Sequence, residues 1–181
     1  MPDVTELLEQ DHRRVERLFQ QYMQSNEPSV AGQICDELVL HTELEERLVY
    51  PVLGRDVEDG KELEREARAE HDEVDQLIKR LRQAGLSSDE APGLVESMQA
   101  AVEHHVEEEE TELFPKLRAS LDSRRLEEMG EQLAEAKKRA QSGQGADGET
   151  KEELYQQARE EGIEGRSAMS KDELARALGK S

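Results

Sequence analysis

The sequence predicts an all-α protein: an up-down-up-down four-helix bundle followed by an extra helix, a flexible linker and a small C-terminal helix-loop-helix module. Three observations carry this expectation. Apolar residues recur every three to four positions over long segments. Proline (5) and glycine (12) are sparse among 181 residues and fall between those segments. The connections are short, which joins helices of roughly 20 to 30 residues as antiparallel neighbours.

Taken in order, the periodicity predicts helices over about 3–24, 30–54, 59–84 and 89–119, and a shorter one near 122–141. The break "SNEPS" ends the first, with Ser29 expected as N-cap of the second. "PVLGRD" is expected to stop the second, since Pro51 lacks the helical donor and Gly54 tolerates a left-handed stop. "AGLSSDEAP" separates the third from the fourth, with Ser88 or Asp89 as cap and Pro92 early enough in the new helix to be tolerated. The bundle with its trailing helix is thus expected over 1–141. Residues 142–149, within "QSGQGADGE", have linker composition. Residues 150–181 form the small module, a helix from Lys151 to about Glu161 and another opened by Ser170 with Glu173 completing a capping box.

The formal charge of −20 argues against a general affinity for nucleic-acid backbones or anionic membranes. No apolar run approaches the roughly 18 residues a membrane helix needs, so no membrane partner is expected. "MPDVTELLEQDH" lacks the basic start and apolar core of a secretory signal. The single cysteine, Cys35, suits a reducing compartment and a packing role, and the expected location is cytoplasmic.

The apolar stripes carry polar residues at matching places. In the first helix the stripe Val4, Leu7, Leu8 resumes at Val15 only after Asp11 and His12. In the third, Glu70 and His71 interrupt it between Ala67 and Val74. The second stripe contains His41 and Glu45, and the fourth His105 and Glu109, each pair one turn apart and about 6 Å along the axis. "HTELEERLVYP" and "HVEEEETELFP" repeat this pattern 64 residues apart, and "DHRRVERLF" and "EHDEVDQLI" match around His12 and His71. The first two helices therefore read as a divergent copy of the next two, with two half-sites meeting across a pseudo-two-fold axis. A buried, unpaired carboxylate costs several kcal/mol, so two glutamates among four histidines call for positive charge. Imidazoles and carboxylates suit iron, manganese or zinc. Six ligands exceed one tetrahedral zinc and fit two ions bridged by two carboxylates, with positions left for solvent or a diatomic molecule. Iron is the first choice, because mixed imidazole and carboxylate ligation with vacant positions invites oxygen chemistry.

The ordered set His12, His41-x-x-x-Glu45, His71, His105-x-x-x-Glu109, with "VYP" and "LFP" closing the second and fourth helices, resembles the hemerythrin-like HHE cation-binding family over about residues 3–119. The resemblance implies a four-helix bundle around a non-haem di-iron centre: two iron ions, with or without a bridging oxo or hydroxo group. It implies His12, His41, His71 and His105 as terminal ligands and Glu45 and Glu109 as carboxylate ligands bridging the irons. One departure stands out. Oxygen-carrying hemerythrins have a histidine one turn after the third-helix ligand, where this chain has Asp75. Asp75, Tyr22 and His104 are candidate substitutes, although a solvated face, a core position and a surface position are the simpler readings of the three. Glu46 and Glu110 are expected behind the ligands or at the surface, and Tyr50 and Phe114 as core aromatics.

The tail "LYQQAREEGIEGRSAMSKDEL" resembles the Rho termination factor N-terminal, SAP-like module. Related modules contact nucleic acid, but residues 149–181 hold 6 basic and 8 acidic residues, and a protein-docking role competes with nucleic acid as its partner. Lys151, Arg159, Arg166, Lys171 and Arg176 are where a basic face would lie. The functional expectation is a di-iron protein that binds or senses oxygen, nitric oxide or peroxide. A di-iron enzyme acting on peroxide or nitric oxide, an iron reservoir, and a metal-stabilised adaptor working through the tail are the alternatives.

Overall fold

The computed structural model describes residues 2–141, 154, 174 and 176–178, and the chain divides into two compact units, Met1–Glu135 and Ala136–Ser181. The expected linker and C-terminal module lie, but for those few residues, outside the described part. All described elements are helical. In order they are α1 (Val4–Ser25), α2 (Pro28–Leu48), α3 (Tyr50–Asp56), α4 (Gly60–Ala84), α5 (Ala91–Glu108), a π-helical turn (Glu109–Leu113), α6 (Phe114–Ser120) and α7 (Ser123–Gln141).

Asp3 opens α1 with a capping box, accepting from the Thr5 and Glu6 amides while Glu6 reaches back to the Asp3 amide. Asn26 ends it in the left-handed region (φ 50°). The expected cap Ser29 is instead inside α2: Pro28 takes the first turn, where its missing N–H costs nothing, and Glu27 stands at the cap. Likewise the cap before α5 is Glu90, not Ser88 or Asp89, with Pro92 in the first turn.

Pro51 does not stop the second helix. The chain breaks at Val49 and Pro51 sits in the first turn of α3, which runs to Asp56. The stop comes at Val57 and Asp59 (φ 59°), and the close-packing glycine is Gly60, not Gly54 as the stop: a Cβ on Gly60 would lie 2.0 Å from the Leu53 carbonyl oxygen. The fourth helix is not continuous either. The Phe114 amide reaches Glu109 O, five residues back, so one extra residue is inserted before Pro115. Both halves are thus interrupted within a few residues of the inward glutamate, just ahead of the "YP" and "FP" pairs.

Helix α1 packs on α2, α4 on α5, α2 and α3 on α4, and α1 on α5, closing a four-helix ring. One end is filled by an apolar cluster containing Phe19, Tyr22, Ile34, Leu81, Val95 and Met98, each such side chain worth about 1.5–3 kcal/mol of burial. The cluster stops at Val15, Leu38, Val74 and Val102, each three residues from one of the histidines. Beyond the histidines, Leu8, Leu53, Phe114 and Leu117 are again buried. The extra helix α7 contributes Leu126, Met129 and Leu133. Gly130 lets it approach the start of α1, since a Cβ there would meet Pro2 O at 2.6 Å. Among the described residues no helix is long and apolar enough to cross a membrane.

Candidate metal centre

The six residues singled out by the stripe pattern converge in one buried layer: His12, His41, Glu45, His71, His105 and Glu109 are each 6% exposed or less. The carboxylates lie between the halves. Glu45 Oε2 is 3.2 Å from His41 Nε2 and 3.4 Å from His71 Nε2. Glu109 Oε2 is 3.3 Å from His12 Nε2 and 3.6 Å from His105 Nε2. Each glutamate therefore faces one histidine of its own half and one of the other. The donors form two overlapping groups, His12, His41, Glu45 and Glu109, and Glu45, His71 and His105.

Three of the outer nitrogens are held by carboxylates from neighbouring helices, and the fourth lies near one. His12 Nδ1 meets Glu110 at 2.9 Å, His71 Nδ1 meets Glu46 at 3.1 Å, His105 Nδ1 meets Glu70 at 2.7 Å, and His41 Nδ1 lies 3.7 Å from Asp11. The rings of His12, His71 and His105 thus donate outward and turn the Nε2 lone pair inward, while His41 Nδ1 is buried without a hydrogen-bond partner. As a result His71 Nε2 and His105 Nε2 face each other at 3.1 Å. His12 Nε2, His41 Nε2, both oxygens of Glu45 and Glu109 Oε2 are buried without a hydrogen-bond partner. Groups of this kind cost several kcal/mol each unless a cation joins them, and a borderline divalent cation fits the nitrogen and oxygen set.

The unbalanced charge shows in the titration behaviour. Burial, reinforced by Glu109, pushes the Glu45 carboxyl well above its ordinary range. Against its burial, Glu109 is held down to about 2 by His105 and His12. Burial lowers His41 to about 4. His12 and His105 are burdened by burial as well, yet Glu109, with Glu110 and Glu70 respectively, raises both.

Between this layer and the apolar floor lies a small cavity lined by the four histidines, Val15, Leu38, Thr42, Val74, Val102 and Val106. It leaves about 10 Å³ for the centre of a water-sized molecule, room for about one such molecule.

Of the three substitutes for the missing imidazole, none reaches the layer. Asp75 pairs with Lys79 with its side chain 44% exposed, Tyr22 is buried in the apolar cluster, and His104 is 63% exposed. The residue that does reach it is Tyr50, expected only as a core aromatic. Its hydroxyl is 3.0 Å from His71 Nε2 and donates to Glu109 Oε1 at 3.4 Å, and burial raises the phenol pKa well above 10. Phe114, at the matching place in the other half, is buried and stacks on His12 at 5.8 Å. The signal was the tyrosine in "VYP" against the phenylalanine in "LFP".

A DNA nickase from Nostoc sp. (strain PCC 7120) is 29% identical over 143 residues, 77% of this chain and 40% of that protein, so the chain spans about two-fifths of its relative's length. No solved structure matches the chain significantly. Residues 3–117 match the hemerythrin HHE cation binding domain, the stretch that contains every member of the buried layer. The chain belongs to the hemerythrin HHE cation-binding domain family.

Proposed function

We propose that the bundle holds two iron ions and binds or senses one small ligand, oxygen, nitric oxide or peroxide. The observation that carries this reading is the set of partnerless inward donors beside an apolar cavity with room for one small molecule. His12, His41, Glu45 and Glu109 would hold one ion, and Glu45, His71 and His105 the other, with Glu45 common to both groups and Glu109 Oε2 also 3.6 Å from His105 Nε2. Iron, when bound, supplies one-electron chemistry and affinity for small ligands. The chain's own residues do the rest. Glu110, Glu46 and Glu70 fix the imidazoles of His12, His71 and His105 with the lone pair inward, Val15, Leu38, Val74 and Val102 form an apolar floor beside them, and the Tyr50 hydroxyl holds a proton next to His71 Nε2. The size of the cavity suits a ligand of a few atoms.

The test is metal analysis with optical spectroscopy on protein grown with iron, reduced without oxygen and then exposed to air. Two irons per chain, with a charge-transfer band on oxidation, are expected. One zinc, or no metal, would sink the reading. Repeated turnover of peroxide would move the protein to the enzyme class, and iron stripped within hours by a chelator would make it a reservoir.

The Nostoc relative favours a second reading, cleavage of one DNA strand at the metal centre, with residues 150–181 as the nucleic-acid contact. The charge of −20 opposes it. Incubating metal-loaded protein with supercoiled plasmid decides: no open-circular product at low salt removes this reading.

A further inference from the structure

Two of the carboxylates behind the histidines are themselves held from outside by a guanidinium. Arg13 Nη2 donates to Glu110 Oε2 at 2.6 Å, and Arg68 Nη1 to Glu46 Oε2 at 2.7 Å. Glu70, behind His105, is arranged differently. Its Oε2 accepts from His105 Nδ1, while its Oε1 lies 3.5 Å from His104 Nε2, which in turn lies 3.4 Å from Glu108 Oε1. Among the described residues, histidine is the only basic side chain paired with Glu70 or Glu108. Where the other two carboxylates meet a fixed positive charge, Glu70 meets two further lone-pair donors.

The sequence explains how this arises. "HHVEEEE" contains two overlapping His-x-x-x-Glu pairs. His105 and Glu109 point inward. His104 and Glu108, each one residue earlier and so about 100° around the helix, point outward. They meet Glu70 on α4, giving one imidazole nitrogen and two carboxylate oxygens all within 4.8 Å of one another. Metal–ligand bonds of about 2.1 Å at tetrahedral angles put ligand atoms roughly 3.4 Å apart. The observed 3.4 and 3.5 Å match that spacing.

We propose that Glu70, His104 and Glu108 form an outer divalent-cation site on the α4–α5 seam, joined to the buried layer through Glu70. The donor set suits zinc, ferrous iron or cobalt rather than calcium. His104 is 63% exposed and Glu108 47%, so an ion here exchanges freely with solvent. Glu70, with 18% of its side chain exposed, stands between the surface and His105. An ion held on its outer oxygen is one carboxylate away from the buried donors, which makes the site a loading station for them. That last step rests on the buried layer being a metal centre; the outer site does not.

Zinc titration calorimetry on the full chain tests the site. The full chain is expected to take up one more, weaker equivalent than the variant carrying His104→Ala with Glu108→Gln, in which that binding falls at least tenfold while the tighter equivalents stay. Equal uptake by the two proteins overturns the proposal. In a His41→Ala background, where the buried layer is broken, the outer equivalent is expected to persist and to vanish on adding His104→Ala. Its persistence after His104→Ala also overturns the site, whatever the buried layer binds. For the loading role, ferrous ion at micromolar concentration should enter the buried layer severalfold more slowly in the double variant, followed by a chromogenic chelator. Equal rates overturn that role.

Discussion

Glu110 accepts the Nδ1–H of His12 at 2.9 Å although the two residues lie 98 positions apart. The same relation runs round the bundle: Glu46 serves His71 on the next helix and Glu70 serves His105. The carboxylates are sequence neighbours of the inward residues, Glu110 of Glu109, Glu46 of Glu45 and Glu70 of His71. One dipeptide thus supplies an inward donor to the layer and an outer brace to a different helix. The arrangement predicts that metal affinity depends on residues that touch no metal.

Glu110→Gln tests this. The amide keeps the volume but loses the charge that favours the Nδ1–H form of His12, and removal of such a brace typically costs 10- to 100-fold in affinity. Competition with a chelator of known affinity should show a loss in that range at unchanged stoichiometry. Unchanged affinity would mean that packing against Phe114 alone orients the ring.

Tyr50 offers a sharper spectroscopic prediction. Burial keeps its phenol neutral in the absence of a cation, but a bound ferric ion reverses that local preference. With its hydroxyl 3.0 Å from His71 Nε2, the side chain is placed to bind as a phenolate. Oxidised iron-loaded protein should show an intense visible phenolate band that Tyr50→Phe removes while iron content holds. A band that survives the substitution would leave Tyr50 as a hydrogen-bond donor only.

The buried carboxylates should be a burden when no metal is present. Glu45 is fully buried and neither of its oxygens has a hydrogen-bond partner. Replacing such a group by an apolar one of similar volume is often stabilising by about 1–4 kcal/mol. Glu45→Met should therefore raise the stability of the metal-free protein in denaturant titrations by an amount in that range, and abolish metal binding in the buried layer. A less stable metal-free variant would show that Glu45 is compensated without metal.

The six inward residues were legible because a helical stripe is a local pattern, and a histidine or glutamate on it needs no knowledge of the partner helix. The helix breaks were less so. Proline opens a helix and ends one with the same missing donor, so Pro28 and Pro51 read alike until the chain direction on either side is known. The π turn at Glu109–Leu113 leaves no compositional trace, since its inserted residue answers to packing. Tyr50 is the core aromatic it was expected to be, but its contact with the layer was not legible for a related reason: it follows the break at Val49, and the stripe rule counts an unbroken helix. Glu46 and Glu110 were expected behind the ligands or at the surface, but which ring each of them and Glu70 meets was not legible, because each pairing crosses to another helix.

The pH dependence of stability should differ between metal-free and metal-loaded protein above pH 6.5, falling only in the first. In the metal-free protein His12 and His105 are raised by their carboxylate neighbours and Glu45 by burial and Glu109. Such groups hold more protons folded than unfolded, so their stabilisation is full below the unfolded pKa and is lost as pH rises through the folded one. His41, lowered to about 4, and Glu109, lowered to about 2, act in the opposite sense, but their windows close at about 6.5 and 4.5 respectively. Above pH 6.5 the raised groups alone remain, and metal-free stability should fall. Metal binding requires those same ligands deprotonated and releases their protons, so the loaded protein gains affinity over the same range. Calorimetric scans with and without chelator should show the gap in Tm widening from pH 6.5 to 8. A constant gap would mean that the layer carries no excess protons when empty.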